Sequence, residues 1–211
     1  MFTQLGKAAL TLLTARLDMN YTLITGASAG IGEVFAKELA HAGNNLILVA
    51  RRKEKLEALA QELIAQYGVA VEILVVDLMS TESSSVIVKH IESSNWVIDG
   101  LINNAGFGDR GAFVDLPLDR QLQMIQLNVT TLVELTHRLL PCMLTQQSPY
   151  IINVASTAAF QAGPNMAIYY ATKAFVLSFS EALHEELSGK GIAVSALCPR
   201  SEEHTSELQS H

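Results

Sequence analysis

Two side chains in the last third of the sequence could run acid–base chemistry. Tyr169 and Lys173 stand four residues apart. They lie in Met166–Ser188, whose apolar spacing predicts a helix, so they share one face. A free tyrosine has a pKa of about 10. An ammonium nearby favours the phenolate and lowers that value. A phenol held this way gives a proton to a carbonyl oxygen, or takes one from an alcohol, near neutral pH. Tyr170 has Ala174 four residues on, where a lysine would be needed, and is the weaker acid.

A second constellation lies near the start of the chain. Thr25-Gly26-Ala27-Ser28-Ala29-Gly30-Ile31-Gly32 joins an apolar run to a helical one. Gly26 can make the tight turn, Gly30 lets backbone approach a pyrophosphate, and Gly32 permits close packing of helix on strand. The helix N-terminus, with Ser28, Ala29 and Ile31 beside the glycines, then offers free N–H groups and partial positive charge to phosphates. This is a dinucleotide site in its required strand–turn–helix setting. The next apolar run ends Val49-Ala50-Arg51-Arg52. NAD-binding domains place Asp or Glu there for the ribose hydroxyls, which Ala50 cannot replace. Arg51 and Arg52 offer guanidinium forks suited to a 2′-phosphate, so NADP (NADPH) is expected ahead of NAD. Asp77-Leu78 closes the third run. A carboxylate there can accept from the adenine amino group, or cap a helix together with Ser80.

The elements that must position these groups alternate. Apolar runs at Tyr21–Thr25, Asn45–Ala50, Val71–Val76, Ile98–Ile102, Tyr150–Val154 and Ile192–Leu197 read as strands buried on both faces. Between them Ile31–His41, Lys53–Tyr67, Ser80–Ser93, Leu118–Thr145 and Met166–Ser188 carry helical spacing, with Pro141 bending the last turn of the fourth. Alternation of this kind calls for right-handed crossovers and a parallel sheet. The expectation is an α/β fold, a Rossmann-type doubly wound sheet in three α/β/α layers, with ligands at the carboxyl ends of the strands. No internal repeat or long linker divides residues 19–199, which read as one domain.

Across nearly the whole of 19–199 the chain resembles the classical short-chain dehydrogenase/reductase family. The matching residues are Thr25-Gly26-(x)3-Gly30-Ile31-Gly32, Asn103-Asn104-Ala105-Gly106, Asn128, Ser156 and Tyr169-(x)3-Lys173. The resemblance implies an oxidoreductase that moves a hydride between nicotinamide and a carbonyl or secondary alcohol, with Tyr169 as general acid/base. It implies that Lys173 also holds the nicotinamide ribose and that Asn103–Gly106 steadies the central sheet, with Asn104, Ala105 and Gly106 lining the cofactor cleft. Ser156, thirteen residues before Tyr169, matches the family's serine, whose hydroxyl bonds the developing oxyanion. Ser148 and Thr157 fit that spacing worse. Asn128 resembles the asparagine that holds a water in a proton relay to the lysine, although a polar residue inside a helix could instead face solvent. The family commonly forms homo-dimers or homo-tetramers. Two further readings stand beside the enzyme: an idle NADP-binding sensor of the same fold, and an inactive truncated fragment.

Both ends depart from this pattern. Residues 1–18 precede Met19, the expected natural start, and read as a non-native or disordered extension. The family usually continues Pro-Gly after the sixth strand into a loop that touches the carboxamide and substrate, yet here Pro199 is followed by Arg200. Residues 200–211 back-translate to a string that resembles a short-read sequencing adapter, so an artefactual tail is expected. The last strand and substrate lid are then missing. Pro199 is the last residue expected to touch cofactor.

The bulk numbers are consistent with one domain. The chain has 211 residues, 49% hydrophobic and 17% charged, with a formal charge of -7. That is one sizeable core, and no basic stripe invites nucleic acid. Two cysteines, Cys142 and Cys198, make no secreted disulfide framework, so a reducing, cytoplasmic setting is expected. His41, His90, His137 and His184 show no metal-ligand spacing, so no metal is expected. Phe107, Phe113 and Leu116 in the segment 107–118 point to an apolar small-molecule substrate.

Overall fold

The computed structural model describes residues 20–200. The expectations for residues 1–18 and for the tail beyond Arg200 lie outside the described residues. In chain order the elements are β1 (Asn20–Thr25), α1 (Gly30–His41), β2 (Asn45–Ala50), α2 (Lys53–Tyr67), β3 (Val71–Val75), α3 (Ser83–Ser93), β4 (Val97–Asn103) and α4 (Leu118–Ile125). A π-helical turn (Gln126–Thr131) follows, then α5 (Leu132–Met143), β5 (Tyr150–Val154), a 3-10 turn (Thr157–Phe160), α6 (Ala167–Ser188) and β6 (Ala193–Leu197).

The six strands form one parallel sheet in the order β3-β2-β1-β4-β5-β6. The order reverses between β1 and β4, which leaves a crevice beyond their carboxyl ends. Strand residues alternate between two cores, as the two-residue strand period requires. Leu23, Ile47, Leu101 and Ile151 pack with Ile87, Leu135, Leu139 and Leu183 from α3, α5 and α6. Ile24, Leu46, Leu48 and Ile102 pack with Ala36, Ala40, Leu56 and Leu63 from α1 and α2. The sheet is therefore the middle of three layers, as the apolar strand sequences require.

Two helices depart from the pattern expected of the sequence. α3 begins at Ser83, not Ser80. The Ser80 hydroxyl accepts from Glu82 N–H at 3.3 Å and its carbonyl accepts from Ser83 N–H at 3.1 Å, which holds residues 80–83 in a turn ahead of the helix. The expected single helix Leu118–Thr145 is α4, the π-helical turn and α5 in succession, with Pro141 inside α5 two residues before its end at Met143.

A buried polar chain ties the layers together under the crevice. Asn103 Nδ2 donates to Thr136 Oγ1 (3.0 Å) and Asn153 Oδ1 (2.9 Å). Asn153 Nδ2 donates to Ser180 Oγ (2.9 Å), which donates to the Val176 carbonyl (2.6 Å). These buried bonds fix α5 and α6 on β4 and β5.

Candidate active site

The glycine turn is built for close approach. Gly26 (φ +67) and Gly30 (φ +58) both occupy the left-handed region, which favours glycine. A Cβ on Gly32 would strike the Gly26 carbonyl oxygen, so the start of α1 can press against the turn only because residue 32 has none. Val49 O accepts from Gly26 N–H (2.8 Å) and Ala27 N–H (3.3 Å), which pins the turn to β2. Ala29 stands at the N-cap of α1 with no side-chain cap, and Ile31 is half-buried in its first turn. The orphan N–H groups of that turn are thus open to an anion, and this fits a dinucleotide's pyrophosphate.

The loop after β4 is laced to that turn. Thr25 Oγ1 accepts from Asn104 N–H (2.9 Å) and Ala105 N–H (3.0 Å), while Asn104 Nδ2 donates to Thr25 O (2.9 Å) and Gly26 O (3.3 Å). Thr25 thus joins the two loops, a role whose one sequence signal is its place before Gly26.

At the end of β2 the two arginines separate in role. Arg52 reaches back to the glycine turn, with Nε on Ser28 Oγ (3.2 Å) and Nη2 on Ser28 Oγ (3.0 Å) and Ser28 O (3.3 Å). Arg51 is exposed beside it. After β3, Asp77 is exposed and its Oδ1 accepts from Met79 N–H (3.0 Å). Leu78 is buried, and its carbonyl accepts from Thr131 Oγ1 (2.8 Å). Leu78 and Thr131 line a shallow hollow with Thr25, Asn103 and Ala105.

Asn128 faces inward at 2% exposure, which excludes the solvent-facing alternative. The π-helical turn aims its carboxamide at the loop: Oδ1 accepts from Phe107 N–H (3.0 Å), and Nδ2 donates to Phe107 O (2.9 Å) and Thr172 Oγ1 (3.1 Å). Thr172 Oγ1 donates in turn to Tyr169 O (2.7 Å). Thr172 was missed in the sequence; its position between Tyr169 and Lys173 was the available signal. A Cβ on Gly106 would lie 3.0 Å from Asn128 Oδ1 and 3.5 Å from Lys173 Nζ, so the two functional groups meet over this glycine.

Lys173 is 5% exposed and donates from Nζ to Val154 O at 2.8 Å. It is thus no surface lysine of an amphipathic helix. Its Nζ stands 5.8 Å from the Tyr169 ring centroid. Ser156 is 3% exposed, and its Oγ accepts from Ala158 N–H at 3.1 Å as it caps the 3-10 turn. Pro199 is buried, and its carbonyl accepts from Thr157 N–H (3.0 Å), which carries the end of β6 to the Ser156 loop. Beside Tyr169 opens a shallow hollow, lined by Phe113, Leu116, Met124, Met166 and Ile168 together with Asp109 and Gln121. The structure therefore gathers a glycine turn, a docked arginine, and a phenol beside a buried ammonium at one end of a parallel sheet.

A family model described as short chain dehydrogenase matches residues 20–208. The chain belongs to the short-chain dehydrogenase family. It is 37% identical over 185 residues to a very-long-chain 3-oxoacyl-CoA reductase of Anas platyrhynchos, covering 85% of this chain and 58% of that protein. It is 35% identical over 184 residues to 17-beta-hydroxysteroid dehydrogenase type 3 of Homo sapiens, again covering 85% and 58%. The chain thus spans under two thirds of the length of these relatives. Among solved structures, a short-chain dehydrogenase from Sphingobium yanoikuyae in complex with NADPH superposes with a TM-score of 0.80 at 40% identity, covering 86% of this chain and 70% of that one. A bulky-bulky ketone specific alcohol dehydrogenase from Comamonas testosteroni gives 0.79 at 36%, covering 85% and 72%.

Among the described residues no cluster of three or more His, Cys, Asp or Glu is placed to hold a metal, and no helix is long and apolar enough to cross a membrane.

Proposed function

We propose that this chain carries the active site of an NADP-dependent oxidoreductase that interconverts an apolar ketone and its secondary alcohol. The observation that carries the reading is Lys173, buried one helical turn from Tyr169 and anchored on Val154 O at 2.8 Å, at the sheet end where the glycine turn lies. When bound, NADPH would supply the hydride. The first turn of α1 would hold the pyrophosphate, and Arg52 with Arg51 the 2′-phosphate. Tyr169 would give the proton to the carbonyl oxygen, Ser156 would bond that oxygen, and Lys173 would hold the ribose and keep positive charge beside the phenol. The hollow beside Tyr169 supports an apolar substrate, since five of its walls are Phe, Leu, Met and Ile side chains. The NADPH-bound neighbour and the bulky-ketone dehydrogenase agree with this choice of cofactor and substrate.

The test is NADPH oxidation with a bulky aryl ketone, by wild type and by Tyr169→Phe. The variant should lose about 10²–10⁴ in kcat, the usual contribution of a positioned proton donor, and keep NADPH binding. A Tyr169→Phe enzyme with wild-type turnover would end the reading.

A further inference from the structure

Gly108 stands outside every motif discussed so far, yet it lies against the phenol. A Cβ built on it would sit 2.8 Å from Tyr169 Cδ2, 3.1 Å from Cγ and 3.2 Å from Cε2. These are ring atoms at the root of the side chain, and the ring cannot swing clear of them as a flexible tail would. The ring is also held on its other sides. Tyr170 meets it edge-on, with centroids 6.1 Å apart at 75°, and Lys173 Nζ lies 5.8 Å from its centroid.

Gly108 is not there for its torsion. Its φ is outside the left-handed region, which among the described glycines is occupied by Gly26, Gly30, Gly43, Gly68 and Gly191. An alanine would be tolerated by the backbone and refused by the ring. The backbone cannot easily retreat either. On one side Phe107 is gripped at both N–H and C=O by Asn128. On the other, Asp109 Oδ2 takes Arg120 Nε at 2.9 Å, and the Arg120 guanidinium lies 4.0 Å from the Phe107 ring centroid. Past that, Gly111 N–H donates to Asn165 O (2.8 Å), which closes the strap over the loop ahead of α6.

We propose that Gly108 is a positioning residue: the strap Phe107–Gly108–Asp109, clamped at both ends, lays a side-chain-free face on the Tyr169 ring and sets where the phenol oxygen stands relative to substrate. This rests on Tyr169 being the proton donor. A displacement of the order of 1 Å at a reacting group is enough to cost about 10²-fold in rate, whereas cofactor binding at the glycine turn does not depend on it.

The experiment compares wild type, Gly108→Ala, Tyr169→Ala and the Gly108→Ala/Tyr169→Ala pair. The full chain is used, with NADPH and a bulky aryl ketone. Gly108→Ala should lower kcat tenfold or more while the ketone KM and the NADPH Kd stay within twofold; a kcat within twofold of wild type overturns the proposal. In thermal melts Gly108→Ala should lower Tm in the wild-type background and leave it unchanged in the Tyr169→Ala background, because the atoms it strikes are gone. An equal loss in both backgrounds, or failure of the double variant to fold where Tyr169→Ala folds, overturns the proposal too. The melts need no turnover. Wild type inert towards the ketone with the melting pattern intact would therefore sink the reaction assignment and spare the contact.

Discussion

Asn128→Ala should cost the protein both stability and activity, by an amount that can be worked from three hydrogen bonds. The carboxamide holds Phe107 N–H and Phe107 O at 3.0 and 2.9 Å and donates to Thr172 Oγ1 at 3.1 Å. Truncation does not orphan Thr172, whose hydroxyl still donates to Tyr169 O. It does orphan both backbone groups of Phe107. An unsatisfied buried group costs about 1–3 kcal/mol, and Phe107 is half-buried, so the lower half of that range applies. The sum is about 2–4 kcal/mol, or a fall in Tm of about 4–16 °C for a domain of this size. Asn128→Asp sharpens the test. It keeps an acceptor for Phe107 N–H but sets a carboxylate against Phe107 O and the Thr172 oxygen. Burial and those oxygens disfavour the charged form, so the folded-state pKa of the new carboxyl lies above its unfolded value. The variant is then least perturbed below about pH 4, where the acid is neutral in both states, and loses stability as pH rises through the raised value. Thermal melts of both variants at pH 4 and pH 7 check this. Asn128→Ala within about 0.5 kcal/mol of wild type, the range of an ordinary surface change, would refute the reasoning. So would Asn128→Asp more stable, relative to wild type, at pH 7 than at pH 4.

Three further outcomes are expected. Arg52→Ala should weaken NADPH binding by about 10–150-fold, the equivalent of roughly 1.5–3 kcal/mol of charged hydrogen bonding, and leave NADH binding nearly untouched; cofactor fluorescence titration would expose an unchanged NADPH-to-NADH preference. Asp99 is half-buried, and burial raises its carboxyl from the ordinary 3.8. Its raised folded-state pKa favours the fold only below that ordinary value and counts against it as pH rises. Asp99→Asn should therefore melt higher than wild type at pH 7, with the advantage shrinking towards pH 4; a constant difference across that range would tell against it. Asn165 holds a left-handed φ of +64, which costs an ordinary L-residue about 1–2 kcal/mol. Asn165→Ala should lower Tm by a few degrees and Asn165→Gly should not, and melts that rank the two the other way would count against that strain.

Much of the fold was legible because its signals are local. The apolar strands, the glycine turn and the Tyr169–Lys173 spacing are each a few contiguous residues whose period or pattern admits few structures. What was hidden depended on contacts across the chain. The π-helical turn at 126–131, on which the buried Asn128 sits, leaves no mark in a run that otherwise reads as one helix. Residue type alone could not separate Arg51 from Arg52; only the return of the guanidinium to Ser28 does. Gly108 carries no local demand at all, since its need arises from a ring 61 residues further along the chain. Ser80 resembled a helix start because serine serves turns and caps by the same hydroxyl chemistry.

The position of β1 in the sheet constrains how the polypeptide acquires its shape during synthesis. β1 is central, flanked by β2 and by β4, and its register with Ile102 joins residues 78 apart in the chain, Ile24 to Ile102. Until β4 leaves the ribosome, a half-built sheet of β1, β2 and β3 leaves the β4-facing edge of β1 bare, the kind that recruits other chains. Such distant pairings also slow folding, because loop closure must precede any reward from contact. Chaperone demand and inclusion-body formation should therefore be set by the interval between translation of β3 and of β4, and a ribosomal pause placed between them should lower soluble yield.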